Sequence, residues 1–105
     1  IKEFNEGNLY KVELKTLDSF EFDNVVAIKM DVENYEQFVL KGARETLIKS
    51  KPVIYLELWE NENRANCFTM LKEVGYQINV LNYTNLEPFN ESKHKKEQYF
   101  ICTAN

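Results

Sequence analysis

The sequence predicts an α/β fold in which parallel strands, joined by a crossover helix, lead into a closing antiparallel hairpin. Residues 25–32 are almost continuously apolar, the pattern of a strand covered on both faces in a parallel sheet. Residues 35–49 then place apolar side chains at helical spacing. A second apolar run, residues 53–59, starts after Pro52, which cannot continue a helix. This order predicts two adjacent parallel strands with the helix as their right-handed crossover.

The elements before this unit give weaker signals. Residues 9–16 alternate imperfectly between apolar and charged side chains, which suggests a strand with one solvent-facing side. Residues 17–22 indicate a turn or short helix capped by Asp18 or Ser19. For the helix over 35–49, we expect Asn34 to be the N-cap, with Gln37 three residues later completing a capping box.

The elements after the unit include a second helix and two strands. Residues 63–74 predict the helix, and Gly75 is a natural C-terminal cap. Residues 77–83 and 98–103 are rich in β-branched and aromatic side chains and predict strands. The polar segment between them is too short for a crossover with a good helix. We therefore expect these strands to pair antiparallel as a long-looped hairpin.

Composition limits the class of protein. The 105 residues are 44% hydrophobic and 13% aromatic, enough for one globular domain or fragment with a genuine core. Seventeen acidic against thirteen basic residues give a net charge of −4, which argues against nucleic acid or an anionic membrane as the main partner. No apolar stretch approaches the roughly 18 residues of a membrane span, and no leader is evident. We expect a cytoplasmic protein.

Isolated chemistry-bearing residues support no further site. Cys67 and Cys102 match neither a metal pattern nor a disulfide framework, so we expect buried thiols. His94 lies alone in a polar segment, and we expect it to be exposed.

Carboxylates follow both strands of the central unit. Asp31, Glu33 and Glu36 come after the first strand, and Glu57 lies near the end of the second. Ligands bind at the carboxyl ends of strands in open α/β sheets. In a simpler interpretation, the first three only stabilise the positive N-terminus of the next helix. A divalent-cation site is a minority interpretation, because the segment fixes few further oxygen donors.

Three residues near these strand ends, Glu57 among them, have two interpretations each. Glu57 either contacts a substrate or pairs with Lys51 or Arg64. Trp59 either stacks on a ligand ring or covers the strand end as a core residue. Lys29 is unusual inside an apolar strand, and its ammonium group could reach a sheet edge or a carboxylate.

The order of these motifs resembles the FkbM family of S-adenosylmethionine-dependent methyltransferases. That family shows I-K-x-D-x-E-G-x-E, then L-x-G-A, then K-P-x-I-x-x-E. The matching residues are Ile28, Lys29, Asp31, Glu33, Glu36, Leu40, Gly42, Ala43, Lys51, Pro52, Ile54 and Glu57. Thr16-Leu17-Asp18 and Gly75-Tyr76 also fall at family positions, so the resemblance covers roughly residues 12–80. Asn34 stands where the family has glycine.

The resemblance implies the C-terminal half of a Rossmann-like class I methyltransferase sheet. It implies S-adenosylmethionine as cofactor, no metal, and O-methylation of a hydroxyl group on a sugar or other small metabolite. Asp31 and Glu33 would be catalytic, as general base or orienting group, and Asp31 would also contact the cofactor. The substrate-binding residues would be Asn34, Glu36, Glu57 and Trp59.

The resemblance also predicts that the chain is the back half of a longer enzyme. Its three glycines, Gly7, Gly42 and Gly75, cannot form the glycine-rich turn that binds the cofactor. We therefore expect the 105 residues alone to be inactive and to bind S-adenosylmethionine weakly or not at all. We also expect the strand over 25–32 to have an unpaired edge, which would form a homodimer or capture residues 9–16. The alternative is a non-catalytic α/β interaction module derived from the same fold.

Overall fold

The computed structural model describes residues 13–104, so most of the strand predicted over residues 9–16 lies outside the described residues. Residues 13–16 have no regular secondary structure. The elements, in chain order, are the 3₁₀ helix Leu17–Phe20, β1 Ala27–Met30, α1 Glu36–Lys41, α2 Arg44–Ser50, β2 Val53–Glu57, α3 Glu62–Glu73, β3 Tyr76–Asn82, β4 Asn85–Pro88 and β5 Tyr99–Ala104. Across residues 13–104, no helix is both long and apolar enough to cross a membrane.

The strands form one five-stranded sheet in the order β1-β2-β5-β3-β4. β1 and β2 are parallel, with Lys29 beside Tyr55, which confirms the predicted adjacency and direction. β5 lies between β2 and β3 and is antiparallel to both, as the predicted hairpin requires. β4 was not expected, because its segment looked like a polar loop. It pairs with β3 across a tight reversal in which Tyr83 adopts a left-handed conformation (φ 56°), which is rare for tyrosine.

Helices cover one face of the sheet in the described part of the chain. Alternate strand residues, including Ile54, Leu56 and Cys102, are fully buried against apolar side chains of the helices. On the opposite face, Tyr55 and Tyr99 remain 40% and 49% exposed. The expectation that the first strand would be covered on both faces is therefore wrong for residues 13–104.

The single helix predicted over residues 35–49 is divided into α1 and α2 at Gly42 and Ala43. The 3₁₀ helix packs against this point, and the N–H of Asp18 donates to the carbonyl oxygen of Gly42 at 2.9 Å. A Cβ atom at position 42 would lie 2.8 Å from Cγ2 of Thr16, so only glycine fits without a shift. The helix breaks where the 3₁₀ segment approaches its backbone.

The Thr16-Leu17-Asp18 segment stabilises both the 3₁₀ helix and α2. Thr16, rather than Asp18 or Ser19, caps the 3₁₀ helix, because its Oγ1 accepts from the N–H of Ser19 at 3.2 Å. The carboxylate of Asp18 instead accepts from the N–H groups of Glu45 (3.0 Å) and Thr46 (2.9 Å). These are the orphan donors that an N-cap side chain would satisfy, so Asp18 caps α2 from a distant position in the sequence.

Hydrogen bonding also controls the ionisation of Asp18. Desolvation alone would raise the pKa of Asp18, but three hydrogen bonds, from the two N–H groups and from the hydroxyl of Thr46, outweigh it and hold the pKa below its usual value. The charged form is therefore favoured in the folded state.

α3 fixes the long segment between β4 and β5 through a buried arginine. Arg64 is 4% exposed, and its guanidinium group lies 5.2–5.7 Å from three phenylalanine ring centroids. These rings belong to Phe68, Phe89 and Phe100. Its Nη1 donates to the carbonyl oxygens of Lys95 (3.0 Å) and Glu97 (3.3 Å). Its Nη2 lies 3.8 Å from Oε1 of Glu91, so the buried cation is stabilised by one carboxylate, two carbonyl dipoles and three ring faces.

Three further residues show the effect of burial on ionisation. Cys67 and Cys102 are free and buried, as predicted, and burial raises the pKa of each to about 12. Burial likewise raises the pKa of Tyr76 to about 12, and its hydroxyl donates to the carbonyl oxygen of Pro52. These groups stay neutral at physiological pH and act as core residues.

Replacing Asp18 by alanine should lower the free energy of unfolding by about 1 kcal/mol at neutral pH, the usual cost of removing a cap. Because the folded pKa of Asp18 is lowered, its stabilisation is complete above the unfolded pKa near 3.8 and is lost as the pH falls through the folded pKa. Urea melts from pH 7 to pH 2 should show the two proteins converging in acid. Asp23→Asn, which removes an exposed pair with Lys49, is the control and should change stability by less than about 0.5 kcal/mol.

β1 ends the sheet on one side, and no strand within residues 13–104 pairs with its outer edge. Val26, just before it, is 80% exposed. We expect two copies to associate through this edge, because unpaired strand edges template pairing. Light scattering should detect a concentration-dependent dimer that Val26→Lys disrupts, whereas Leu86→Lys on β4 leaves it intact. A strictly monomeric chain at high concentration would contradict this prediction.

Candidate functional site

The carboxyl ends of β1 and β2 form a common rim. Met30 pairs with Leu56, so Asp31, directly after β1, and Glu57, the last residue of β2, follow at the same end of the sheet. Tyr99, the first residue of the antiparallel β5, pairs with Glu57 from the other side. Two carboxylates and a phenol therefore meet where the three strands come together.

Two cavities open at this rim. The first, the rim cavity, has a volume of about 110 Å³ and is lined by Asp31, Glu33, Asn34, Glu57 and Trp59. The second, the sheet-face cavity, has a volume of about 210 Å³ and is lined by Lys29, Met30, Asp31, Tyr55, Glu57 and Tyr99. Asp31 and Glu57 line both cavities. Of the six predicted site residues, the rim cavity brings together all except Glu36.

A tight turn after β1 carries Glu33 and Asn34 over the rim. Both residues are left-handed, with φ of 46° and 71°, and the N–H of Tyr35 donates to the carbonyl oxygen of Val32 at 3.3 Å. Two consecutive left-handed residues with this hydrogen bond are the pattern of a type I′ turn. Asparagine tolerates such a conformation, as predicted for the position where the resemblance has glycine, whereas glutamate rarely adopts it.

Glu36 lies beneath this turn and lines neither cavity. It is 1% exposed, and its Oε2 accepts from the N–H of Val32 at 2.9 Å. Its Oε1 accepts from the side-chain amide of Asn63 at 3.1 Å. Glu36 therefore links the turn after β1 to α3, and its buried carboxylate is not accessible to a ligand.

Asparagines at the start of α3 complete the support, and the sequence patterns did not identify them. Asn61 caps α3 by accepting from the N–H of Arg64 at 3.1 Å, and its amide donates to Oδ1 of Asn34 at 2.8 Å. Asn63 accepts from the N–H of Gln37 at 3.2 Å. The predicted capping box of α1 is therefore wrong. Tyr35 occupies the N-cap position without a side-chain hydrogen bond, and α3 supplies the capping oxygen through Asn63.

Tyr99 and Tyr55 were also missed, because the strand pattern alone does not show which aromatic residues border a rim. A hydrogen bond to Glu57 and the charge of that carboxylate raise the pKa of Tyr99, and burial and the neighbouring Tyr55 and Asp31 raise it further. The two tyrosine rings lie 6.2 Å apart. The ammonium group of Lys29 lies 6.0 Å from the Tyr55 ring centroid, so its stem does run along the sheet.

The positions of Trp59, Arg64 and His94 decide between the interpretations that the sequence left open for them. Trp59 is 46% exposed and borders the rim cavity, so it does not cover the strand end as a core residue. Arg64 pairs with Glu91 rather than with Glu57, and its guanidinium group lies among phenylalanine rings. His94 is not exposed as expected. Its side chain is 9% exposed, and its Nδ1 accepts from the N–H of Asn90 at 2.8 Å.

No group of histidine, cysteine, aspartate and glutamate side chains within residues 13–104 has the arrangement of a metal site. The carboxylates of the rim can accept protons and hydrogen bonds and can attract a cationic ligand.

Comparison with known protein families gives one result. The model of the family described as Methyltransferase FkbM domain matches residues 2–78, most of the chain, including β1, β2 and all five residues of the rim cavity. Neither the curated proteins nor the solved structures that were searched gave a match.

Asn34→Gly should change the free energy of unfolding by only a few tenths of a kcal/mol, because glycine also suits a left-handed position. Asn34→Ala should cost about 1–2 kcal/mol, the penalty for a Cβ-bearing residue without local hydrogen bonding in this conformation. Chemical denaturation of both variants measures the difference. A loss above about 2 kcal/mol for Asn34→Gly would show that the hydrogen bond to Asn61 has a larger, site-specific role.

Proposed function

Because this chain belongs to the FkbM methyltransferase family, we propose that its rim is the acceptor side of an S-adenosylmethionine-dependent methyltransferase acting on a hydroxyl group of a sugar or similar small metabolite. The observation that carries this proposal is the position of Asp31, which lines both cavities. One carboxylate can therefore face an acceptor on one side and a methyl donor on the other.

The rim cavity suits a hydroxyl-rich acceptor. Three carboxylates and one amide supply hydrogen-bond acceptors for hydroxyl groups, and the amide also donates. The half-exposed indole of Trp59 offers an apolar face on which a sugar ring can stack. Substrate contacts are assigned to Asn34, Glu57 and Trp59, and Glu36 acts by holding the turn.

Asp31 acts as the general base. As the acceptor oxygen takes up the methyl group, the hydroxyl proton would pass to the carboxylate of Asp31, so that no charged oxonium product accumulates. The bond from the methyl carbon to the donor's sulfur would break at the same time and leave a neutral thioether. Glu33, on the turn directly above, accepts a hydrogen bond from the acceptor and orients the reacting hydroxyl. The buried contacts of Glu36 keep both carboxylates at the rim.

The donor set fits the cationic end of the proposed cofactor. S-adenosylmethionine, when bound, supplies the methyl group from a positively charged sulfonium centre. Asp31 and Glu57 would attract the positively charged groups at that end of the cofactor, since carboxylates at a strand end attract cations. The sequence contains no G-x-G turn for the nucleotide. The residues described here therefore support contacts to the charged end alone.

Asp31→Asn should reduce methyl transfer by about 10²–10⁴-fold, the usual contribution of a positioned base. The protein from the natural gene is incubated with S-adenosylmethionine carrying an isotopically labelled methyl group and a panel of glycosides, and the labelled products are identified by mass spectrometry. Glu45→Gln, which alters a carboxylate that is 77% exposed and lies outside both cavities, is the matched control and should retain activity.

Equal rates for Asp31→Asn and the unaltered protein would contradict the role of Asp31. A folded protein that labels no hydroxyl compound would contradict the proposed transfer and favour the alternative, a non-catalytic interaction module built on the same sheet.

A further inference from the structure

The sheet-face cavity has an ordered distribution of charge that hydroxyl methylation does not require. Its lining residues form two rows across the strands. Lys29 on β1 lies beside Tyr55 on β2, and one step further toward the rim Asp31 is followed by Glu57 and Tyr99. The first row is cationic and aromatic, and the second is acidic and phenolic.

The two rows are separated by the spacing of a strand. Tyr55 and Glu57 are two residues apart on β2, which is about 6.6 Å between their Cα atoms and places both side chains on the same face. Lys29 on β1 and Asp31, which directly follows β1, line the same cavity. Within residues 13–104, no ion pair joins the ammonium group of Lys29 to Asp31 or Glu57. Opposite charges therefore face the cavity without neutralising each other in direct contact.

We propose that the sheet-face cavity binds an α-amino acid group, with its carboxylate on Lys29 and its ammonium on Asp31 and Glu57. This inference rests on the proposed function to the extent that the amino acid group is the methionine end of the methyl donor. A free amino acid has the same chemistry and is the other source.

Other ligand charges fit less well. A simple anion would be repelled by Asp31 and Glu57, and a simple cation would be repelled by Lys29. A zwitterion satisfies all three groups, and its charged groups lie close enough together to bridge the two rows. The rings of Tyr55 and Tyr99, 6.2 Å apart, provide apolar and cation-attracting walls for the attached side chain. Tyr99 lies directly beside Glu57 on the neighbouring strand, so its ring borders the carboxylate that would contact the ammonium group.

Titration of the ¹⁵N-labelled chain, followed by NMR, tests the proposal with defined ligands. L-Methionine and S-adenosylhomocysteine should both shift the amide signals of residues 29–31, 55–57 and 99. Methylthioadenosine, which lacks the amino acid group, and L-methioninamide, which lacks the carboxylate, should shift them at least about tenfold less at equal concentration. Stronger binding of S-adenosylhomocysteine than of L-methionine identifies the donor as the source, and equal binding identifies a free amino acid.

Lys29→Met should weaken the binding of both L-methionine and S-adenosylhomocysteine about tenfold. Lys72→Met, which replaces an exposed lysine on α3, should leave the affinity unchanged. Equal shifts with methylthioadenosine, full retention of binding in Lys29→Met, or no shift with any ligand would overturn the inference. Methioninamide tests the same contact without a substitution, so a folding defect cannot imitate the result. The two failures are distinguishable. A protein that labels hydroxyl compounds but shows none of these ligand-dependent shifts overturns the amino acid site alone, whereas the expected shifts without any labelled product overturn the methyl transfer alone.

Discussion

The rim depends on the buried carboxylate of Glu36. Its two oxygens satisfy the backbone of Val32 and the side-chain amide of Asn63, and so join the turn after β1 to the start of α3. Asn63 also accepts a hydrogen bond from the first turn of α1, so one network joins the starts of α1 and α3 to the turn that precedes α1. Removing either partner would leave a buried polar group without a hydrogen bond, a cost of about 1–3 kcal/mol. The buried carboxylate of Glu36 thus supports the turn that carries Glu33 and Asn34 into the rim cavity.

This support also explains how an unfavourable turn persists. Glu33 occupies a left-handed conformation that costs an ordinary residue about 1–2 kcal/mol. The hydrogen bonds from the N–H of Val32 to Glu36 and from the amide of Asn61 to Asn34 hold the turn in this conformation. Strain of this kind, held by the surrounding structure, is found at functional sites, where the side chain is placed for chemistry and not for stability. In this turn, the strained residue carries one of the rim carboxylates.

Features determined by residues close together in the sequence could be predicted, whereas features determined by contacts between distant segments could not. The order of strand, helix and strand could be predicted because apolar periodicity is local, and so could the meeting of Asp31 with Glu57 at one rim. The break at Gly42 could not, because it depends on a contact with Thr16, in a separate element. The caps supplied by Asp18 and Asn63 are likewise long-range. Tyr99 joins the site only through the register of β5.

The position of β5 has a consequence for how the chain assembles. It is the last strand in the described sequence, yet it lies in the middle of the sheet, between β2 and β3. The β1–β2 unit and the β3–β4 hairpin can each form from shorter segments, but only β5 joins them. Sheet closure must therefore wait for contacts of large sequence separation, which form slowly. Until then, both halves expose unpaired strand edges, through which partly folded chains can aggregate.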